Sequence, residues 1–263
     1  MSPRHLVTLS FLTSHDDRAT ITTVTHDPLE QFSLPVRTWF RETFGEPTPP
    51  QALGWLPIQR GEHTLILAPT GSGKTLAAFL WGIYQLLQAG SSKQQAGSPT
   101  TQPPNHPSPV LRTGLTTQQG VRLLYVSPLK ALNNDIERNL RVPLEGIRAV
   151  AERLGDELPT LRVAVRTGDT PSSARAAMLK KPPHILITTP ESLYLMLTSP
   201  RAREMFRTVH TVIVDEIHTL CGNKRGVHLS LSLERLCHLA TDPSTGAQGV
   251  QRIGLSATIN PLD

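Results

Sequence analysis

An α/β domain with a mainly parallel sheet and helices on both faces is the fold this 263-residue sequence predicts. Three observations carry it. Six short apolar runs, at 64–68, 121–127, 161–166, 184–188, 209–214 and 250–256, have the length and composition of strands. Between them, apolar residues recur at helical spacing: Leu129, Leu132, Ile136 and Leu140; then Leu144, Ile147, Ala151 and Leu154; then Leu229, Leu233 and Leu236. Several runs end in Gly, Pro, Ser or Thr, the residues that turn a strand into a following helix. Strict strand–helix alternation keeps the strands parallel and requires helices on both sides. A chain of this length can bury the core of one such domain.

Taken in order, residues 1–30 show no clear periodicity and are expected to be a loosely ordered lead-in, with the domain proper at 31–263. The run Leu6–Leu12 is too short, and too broken by hydroxyls, to cross a bilayer. His15-Asp16-Asp17-Arg18 follows at once, which does not fit a signal peptide. No membrane partner is expected.

The first interior run, Thr64-Leu65-Ile66-Leu67, leads into Ala68-Pro69-Thr70-Gly71-Ser72-Gly73-Lys74-Thr75. A strand feeding a glycine loop that ends in Lys-Thr and opens a helix is an arrangement for binding phosphate. Gly71 and Gly73 let the backbone curl so that N–H groups point inward, with Thr70 and Ser72 in the same turn. The helix that follows, expected from Thr75 to about Gln88, adds its partial positive charge. Lys74 can reach the outer phosphates and the Thr75 hydroxyl can hold Mg²⁺. The implied cofactors are ATP and Mg²⁺. The stricter pattern has Gly where this chain has Ala68.

Residues 91–120 interrupt the alternation. They are dominated by Ser, Gln, Thr, Gly and Pro, a composition that cannot offset its ordering entropy by burial, and a disordered surface insertion is expected.

Three later junctions share one chemistry: Ser127-Pro128, Thr170-Pro171 and Thr189-Pro190. A hydroxyl N-cap with Pro at the first helical position is a strong helix start, and for any one junction that is a sufficient explanation. All three, however, fall at carboxyl ends of strands, along the edge where open α/β sheets bind ligands. Helix N-termini there, with Lys130 and Arg166 nearby, suit a nucleic-acid backbone gripped without base reading.

Val212-Ile213-Val214 then delivers Asp215-Glu216-Ile217-His218. An acidic pair after a strand often does no more than start a helix. Beside a phosphate loop the pair has a second reading: Asp215 orders Mg²⁺ and its waters, and Glu216 orients the attacking water, so that Lys74, Asp215 and Glu216 are the catalytic candidates. A last run, Ile253-Gly254-Leu255, ends in Ser256-Ala257-Thr258, whose hydroxyls can also cap backbone.

These elements, in this order, resemble the first motor domain of a superfamily 2 (DEAD/DEAH-box-like) helicase. The segment 125–132, Tyr-Val-Ser-Pro-Leu-Lys-Ala-Leu, resembles motif Ia, and 188–193, Thr-Thr-Pro-Glu-Ser-Leu, resembles motif Ib. Asp215-Glu216-Ile217-His218, then Lys224-Arg225-Gly226 and Leu229–Leu236, look like the large helicase-related (Lhr-type) branch. The resemblance spans about 35–263 and implies a RecA-like P-loop NTPase domain of three layers. It assigns Ser127–Lys130, Thr167–Asp169 (with Gly168) and Thr188–Glu191 (with Pro190) to single-strand contact, with DNA favoured over RNA. It also implies that His218, Ser256 and Thr258 couple the ATP site to strand grip. Pro47-Thr48-Pro49-Pro50-Gln51 looks like the Q motif, in which a glutamine amide reads adenine; an amide donates and accepts at once, which suits that edge. Gln51 is the adenine candidate, with Phe40 or Phe44 either stacking on the base or filling the core.

In this superfamily ATP lies between two RecA-like domains, the second supplying arginines. No segment here corresponds to that domain. The expectation is therefore an isolated or truncated first motor domain, nearly inactive alone, whose second motor domain is a candidate separately encoded partner. Composition fits: 26 Lys+Arg against 21 Asp+Glu give net +5, compatible with nucleic acid. The two cysteines, Cys221 and Cys237, form neither a zinc pattern nor a disulfide framework, and a reducing cytoplasm is expected. Two other readings stay open: a P-loop ATPase of another class, and a nonenzymatic fragment that binds nucleotide or DNA.

Overall fold

A computed structural model describes residues 6–10, 27–91, 120–128, 130–241 and 249–257. Its strands are β1 (Leu6–Ser10), β2 (His63–Leu67), β3 (Leu123–Val126), β4 (Val163–Arg166), β5 (Ile185–Thr188), β6 (Thr211–Val214) and β7 (Gln251–Ser256). Its helices are α1 (Leu34–Phe44), α2 (Pro49–Gln59), α3 (Lys74–Ser91), α4 (Lys130–Leu154), α5 (Ser172–Lys180), α6 (Pro190–Thr198) and α7 (Lys224–Ala240). One seven-stranded sheet runs β1-β2-β7-β6-β3-β5-β4, and every pairing is parallel.

The apolar runs read as continuous because both faces of the sheet are covered. Successive side chains point to opposite faces. Leu123, Tyr125, Ile187 and Ile213 therefore join one core with Phe40 of α1, Trp55 of α2, Phe79 of α3 and Ile147 of α4. Leu124, Val126, Leu186 and Val212 join a second core with Leu193 and Met196 of α6 and Leu229 and Leu236 of α7. Trp55 is fully buried, and its indole N–H donates to the Ala77 carbonyl at 3.1 Å, fixing α2 against the helix that leaves the glycine loop.

Two sequence expectations need correction. The lead-in is not without elements, because β1 pairs in register with β2 from Leu6↔His63 to Ser10↔Leu67. Its mixed Leu-Val-Thr-Leu-Ser composition suits an edge strand covered on one side only. The two apolar faces on either side of Pro143 belong to a single helix, α4. Thr170 does not cap α5: the helix opens at Ser172 with Pro171 in the cap position, and the Thr170 hydroxyl turns back to accept from Thr167 N at 2.9 Å. Helices α1 and α2, which the periodicity left unassigned, complete the first layer. Residues 92–119, most of the proposed insertion, lie outside the described residues, as does Thr258. Among the described residues no helix is long and apolar enough to cross a membrane.

Candidate functional site

The carboxyl ends of the strands form one edge, and the expected site residues lie along it in the order of the sheet. Thr70–Gly73 make the turn from β2 into α3, and Gly71 and Gly73 both adopt φ +82°. A Cβ on Gly73 would sit 2.4 Å from Gln51 Nε2. The positive φ calls for glycine there, and any side chain would also displace the Gln51 amide from the loop. Lys74 opens α3 and is 6% exposed, with Nζ donating to the Pro69 carbonyl at 3.3 Å. Thr75 follows as the second residue of that helix, where N–H groups have no intrahelical acceptor. Ser72 Oγ is buried and without a hydrogen-bond partner.

The loop is braced from behind by a pair the sequence did not show acting together. Thr48 Oγ1 donates to the Ser72 carbonyl at 2.8 Å, and Gln51 Nε2 donates to the Gly73 carbonyl at 3.4 Å. Gln51 Oε1 accepts from Thr48 N at 2.9 Å. Gln51, the adenine candidate, is buried with both ends of its amide on the loop and its own helix start. Phe40 is a fully buried core aromatic; Phe44 is half exposed and leans on Trp39 and Phe40.

Next along the edge come β7 and β6. Asp215 is 5% exposed, its backbone N–H donates to Val126 O at 2.9 Å, and its Oδ1 accepts from Glu216 N at 2.8 Å. Its Oδ2 accepts the hydroxyl of Tyr125, a fully buried residue of β3 whose phenol pKa is pushed far above the usual value by burial and then by the Asp215 charge. Glu216 has φ 52° and ψ 42° and is the one non-glycine residue with positive φ among the described residues. Such a conformation costs a bulky residue about 1–3 kcal/mol and is held by its surroundings. Here the Thr219 amide and hydroxyl both donate to the Glu216 carbonyl, at 2.9 and 2.8 Å. The turn brings Glu216 Oε2 to 3.2 Å from His218 Nε2, while His218 Nδ1 lies 3.1 Å from Ser256 Oγ. A carboxylate only accepts, so Nε2 carries the proton, and in a neutral ring Nδ1 accepts from the serine. The structure thus brings two of the three expected coupling residues together with Glu216.

The far half of the edge is β3, β5 and β4. Ser127 is fully buried and its N–H donates to Thr188 O at 3.0 Å. Helix α4 opens at Lys130, beyond Pro128, and the Lys130 side chain lies outside the described part. Thr189 caps α6 as expected, accepting from Ser192 N at 3.4 Å with Pro190 at the first position. At the end of β4, Arg175 holds the loop by donating to Thr170 O and Gly168 O, both at 2.7 Å. Arg166 donates to the Thr167 carbonyl, and burial together with the neighbouring Arg175 charge lowers its guanidinium pKa. Thr167 is buried and Gly168 exposed.

One residue here was missed by sequence reasoning. Arg225 donates from Nε to Glu191 Oε1 at 2.7 Å and from Nη2 to Pro128 O at 3.0 Å, joining the 127–128 and 189–191 junctions. Partial burial raises the Glu191 carboxyl, but the Arg225 contact outweighs it and leaves the pKa below the usual value. Neighbouring Gly226 explains the placement: a Cβ there would lie 1.9 Å from Leu220 O, so only glycine lets α7 start this close to the loop. For Tyr125 a signal existed, a lone phenol in the aliphatic strand Leu-Leu-Tyr-Val; a buried hydroxyl needs an acceptor.

Comparison with known proteins agrees with this geometry. The family model for the DEAD/DEAH box helicase matches residues 48–263. The Lhr helicase/probable uracil glycosylase of Mycolicibacterium smegmatis is 52% identical over 241 residues, 92% of this chain and 14% of that protein. The ATP-dependent helicase Lhr-Core protein 2 of Thermococcus barophilus is 51% identical over 229 residues, 87% of this chain and 23% of that one. The solved structure of Mycobacterium smegmatis helicase Lhr bound to ssDNA and AMP-PNP superposes with a TM-score of 0.74 at 51% identity, covering 90% of this chain and 26% of that one. The chain therefore spans about a quarter or less of the length of these relatives. It belongs to the DEAD/DEAH box helicase family, and its sequence and fold are those of an Lhr-type motor domain.

Proposed function

We propose that this domain binds Mg-ATP at the β2–β7–β6 half of the edge and single-stranded nucleic acid, DNA in preference to RNA, at the β3–β5–β4 half. The observation that carries the reading is the single edge: a phosphate loop at the end of β2 and an acidic turn with a buried Asp215 at the end of β6, one strand apart and continuous with three loops on the same edge. The relative solved with ssDNA and AMP-PNP supports it.

The loop fits a nucleotide phosphate. The Gly73 cradle has no room for a side chain, the start of α3 offers N–H groups, and the buried Ser72 hydroxyl lacks a partner in the protein. Lys74 needs only to leave the Pro69 carbonyl to meet the outer phosphates. Thr75 and Asp215 are the Mg²⁺ candidates, and bound Mg²⁺ would supply neutralisation of the charge developing on the transferred phosphoryl group. Glu216 positions the water, and His218 carries its state to Ser256. Gln51, whose amide braces the loop, keeps the proposed role of adenine reader. Full turnover requires arginines from a facing second motor domain, so the domain alone hydrolyses ATP slowly. Free Cys221 and Cys237 fit a reducing, cytoplasmic setting.

Calorimetry of Mg-ADP binding tests the reading. Charge-assisted hydrogen bonds contribute about 1.5–3 kcal/mol, so Lys74→Ala is expected to weaken binding by about tenfold or more. Equal affinity in the two chains would overturn it.

A further inference from the structure

We propose that Tyr125 is a positioning residue of the nucleotide site, its hydroxyl fixing the Asp215 carboxylate in the orientation that receives the divalent cation. The inference rests on the reading of Asp215 as a cation ligand given above. It starts from the register of the sheet. Strands β3 and β6 are neighbours with Tyr125 opposite Ile213, and the Asp215 N–H continues the ladder onto Val126 O at 2.9 Å. Asp215 is thereby held at the end of one strand within reach of a side chain from the next.

Both partners are removed from water, Tyr125 fully and Asp215 to 5% exposure. Burying a phenol costs free energy unless its hydroxyl is bonded, and in an otherwise aliphatic strand a phenylalanine would fill the same space without that demand. The ring has no freedom to seek another acceptor. It stacks on Phe79 with centroids 5.0 Å apart and planes 25° from parallel. Phe79 belongs to α3, the helix that begins at Lys74. The wall behind the tyrosine is thus built by the same element that carries the phosphate loop.

The carboxylate itself is fixed at two points, Oδ1 by Glu216 N at 2.8 Å and Oδ2 by the Tyr125 hydroxyl. Two bonds, one on each oxygen, define the carboxylate plane and leave one further acceptor direction on each for a metal or its waters. A ligand fixed in this way loses less freedom on binding, and groups that orient a metal ligand affect metal affinity without touching the metal. Tyr125 also lies two positions before Ser127, so one strand end serves both halves of the edge.

The test is a Mg²⁺ titration of the 263-residue chain with a fluorescent ADP analogue, comparing wild type with Tyr125→Phe, Asp215→Asn and the double variant. Tyr125→Phe keeps the stacked ring but takes one donor from a buried carboxylate, so its thermal midpoint without Mg²⁺ should fall by a few degrees, while its analogue affinity in EDTA should change much less than its Mg²⁺ midpoint. Its half-saturating Mg²⁺ concentration should rise about tenfold or more. Adding Tyr125→Phe to Asp215→Asn should change nothing further, because the two act as one unit. An unchanged Mg²⁺ midpoint in Tyr125→Phe would overturn the proposal, as would an equal loss on the Asp215→Asn background. If wild type shows no Mg²⁺ dependence, the cation reading of Asp215 fails first and this inference falls with it, which separates the two failures.

Discussion

The two halves of the binding edge are built differently. At β2, β7 and β6 the side chains are held by partners distant in sequence: Thr48 on Ser72, Tyr125 on Asp215, His218 on Ser256. Gln51, Lys74, Asp215 and Ser256 are buried, and Glu216 and His218 are partly so. At β3, β5 and β4 most of the bonds are local. Thr167 pairs with Thr170, Thr189 with Ser192, and Arg175 closes its own loop. Apart from the ladder bond from Ser127 N to Thr188 O, Arg225 alone among the bonds described above ties two of these junctions together, and it does so from a half-exposed position.

The contrast matches the proposed ligands. A nucleotide with its cation is one rigid shape, and transition-state stabilisation requires donors and charges fixed before the reaction. A nucleic-acid backbone is a repeating anion, and loops that offer N–H groups and a few cations hold it without a unique geometry. Long-range pinning belongs where angle matters, and local capping where only charge and register do.

The largest break in this comparison is expected at Gly73. Gly73→Ala places a Cβ 2.4 Å from Gln51 Nε2 in a residue at φ +82°. A left-handed conformation alone costs a non-glycine residue about 1–2 kcal/mol, before the clash is counted. Calorimetry should show Mg-ADP affinity reduced about tenfold or more, with oligonucleotide affinity unchanged. Loss of both would mean that the halves are not separable.

Gly226→Ala sharpens the other side, with a smaller effect. Its Cβ would lie 1.9 Å from Leu220 O, so the start of α7 must shift and carry Arg225 with it. Such overpacking costs about 1–3 kcal/mol, which should lower the thermal midpoint by several degrees in a scanning experiment. Oligonucleotide affinity should fall alongside, and Mg-ADP affinity much less.

How much of this was legible in the sequence follows the same division. The five interior strands were readable because cover on both faces makes them continuous apolar runs, and the edge strand β4 was readable from its run of Val163, Ala164 and Val165. The edge strand β1 was not, because its Leu-Val-Thr-Leu-Ser pattern carries only half that signal. The glycine loop and Asp215-Glu216 were readable because their chemistry demands those residue types at a strand end. The bonds that position them were not, since Tyr125 and Asp215 are 90 positions apart and meet only through the β3–β6 pairing. The hydroxyl-proline rule worked at Thr189, where the side chain faces its own helix, and failed at Thr170, where the loop offered it the Thr167 amide instead. Arg225 gave no local signal, because its partners come from two other strands' loops.

The separation of the two halves is tested most directly by the double variant Arg166→Ala/Arg225→Ala. Anisotropy of a labelled single-stranded oligonucleotide is followed across a salt series, with Mg-ADP calorimetry on the same sample. Single-strand binding releases counterions with a slope of about 0.7 per phosphate contact in log affinity against log salt. The predicted result is severalfold weaker oligonucleotide binding with a shallower salt slope, and Mg-ADP affinity within about twofold of wild type, since exposed and partly exposed charges act locally. Oligonucleotide binding that is unchanged in strength and slope, or Mg-ADP affinity that falls equally, would contradict the account.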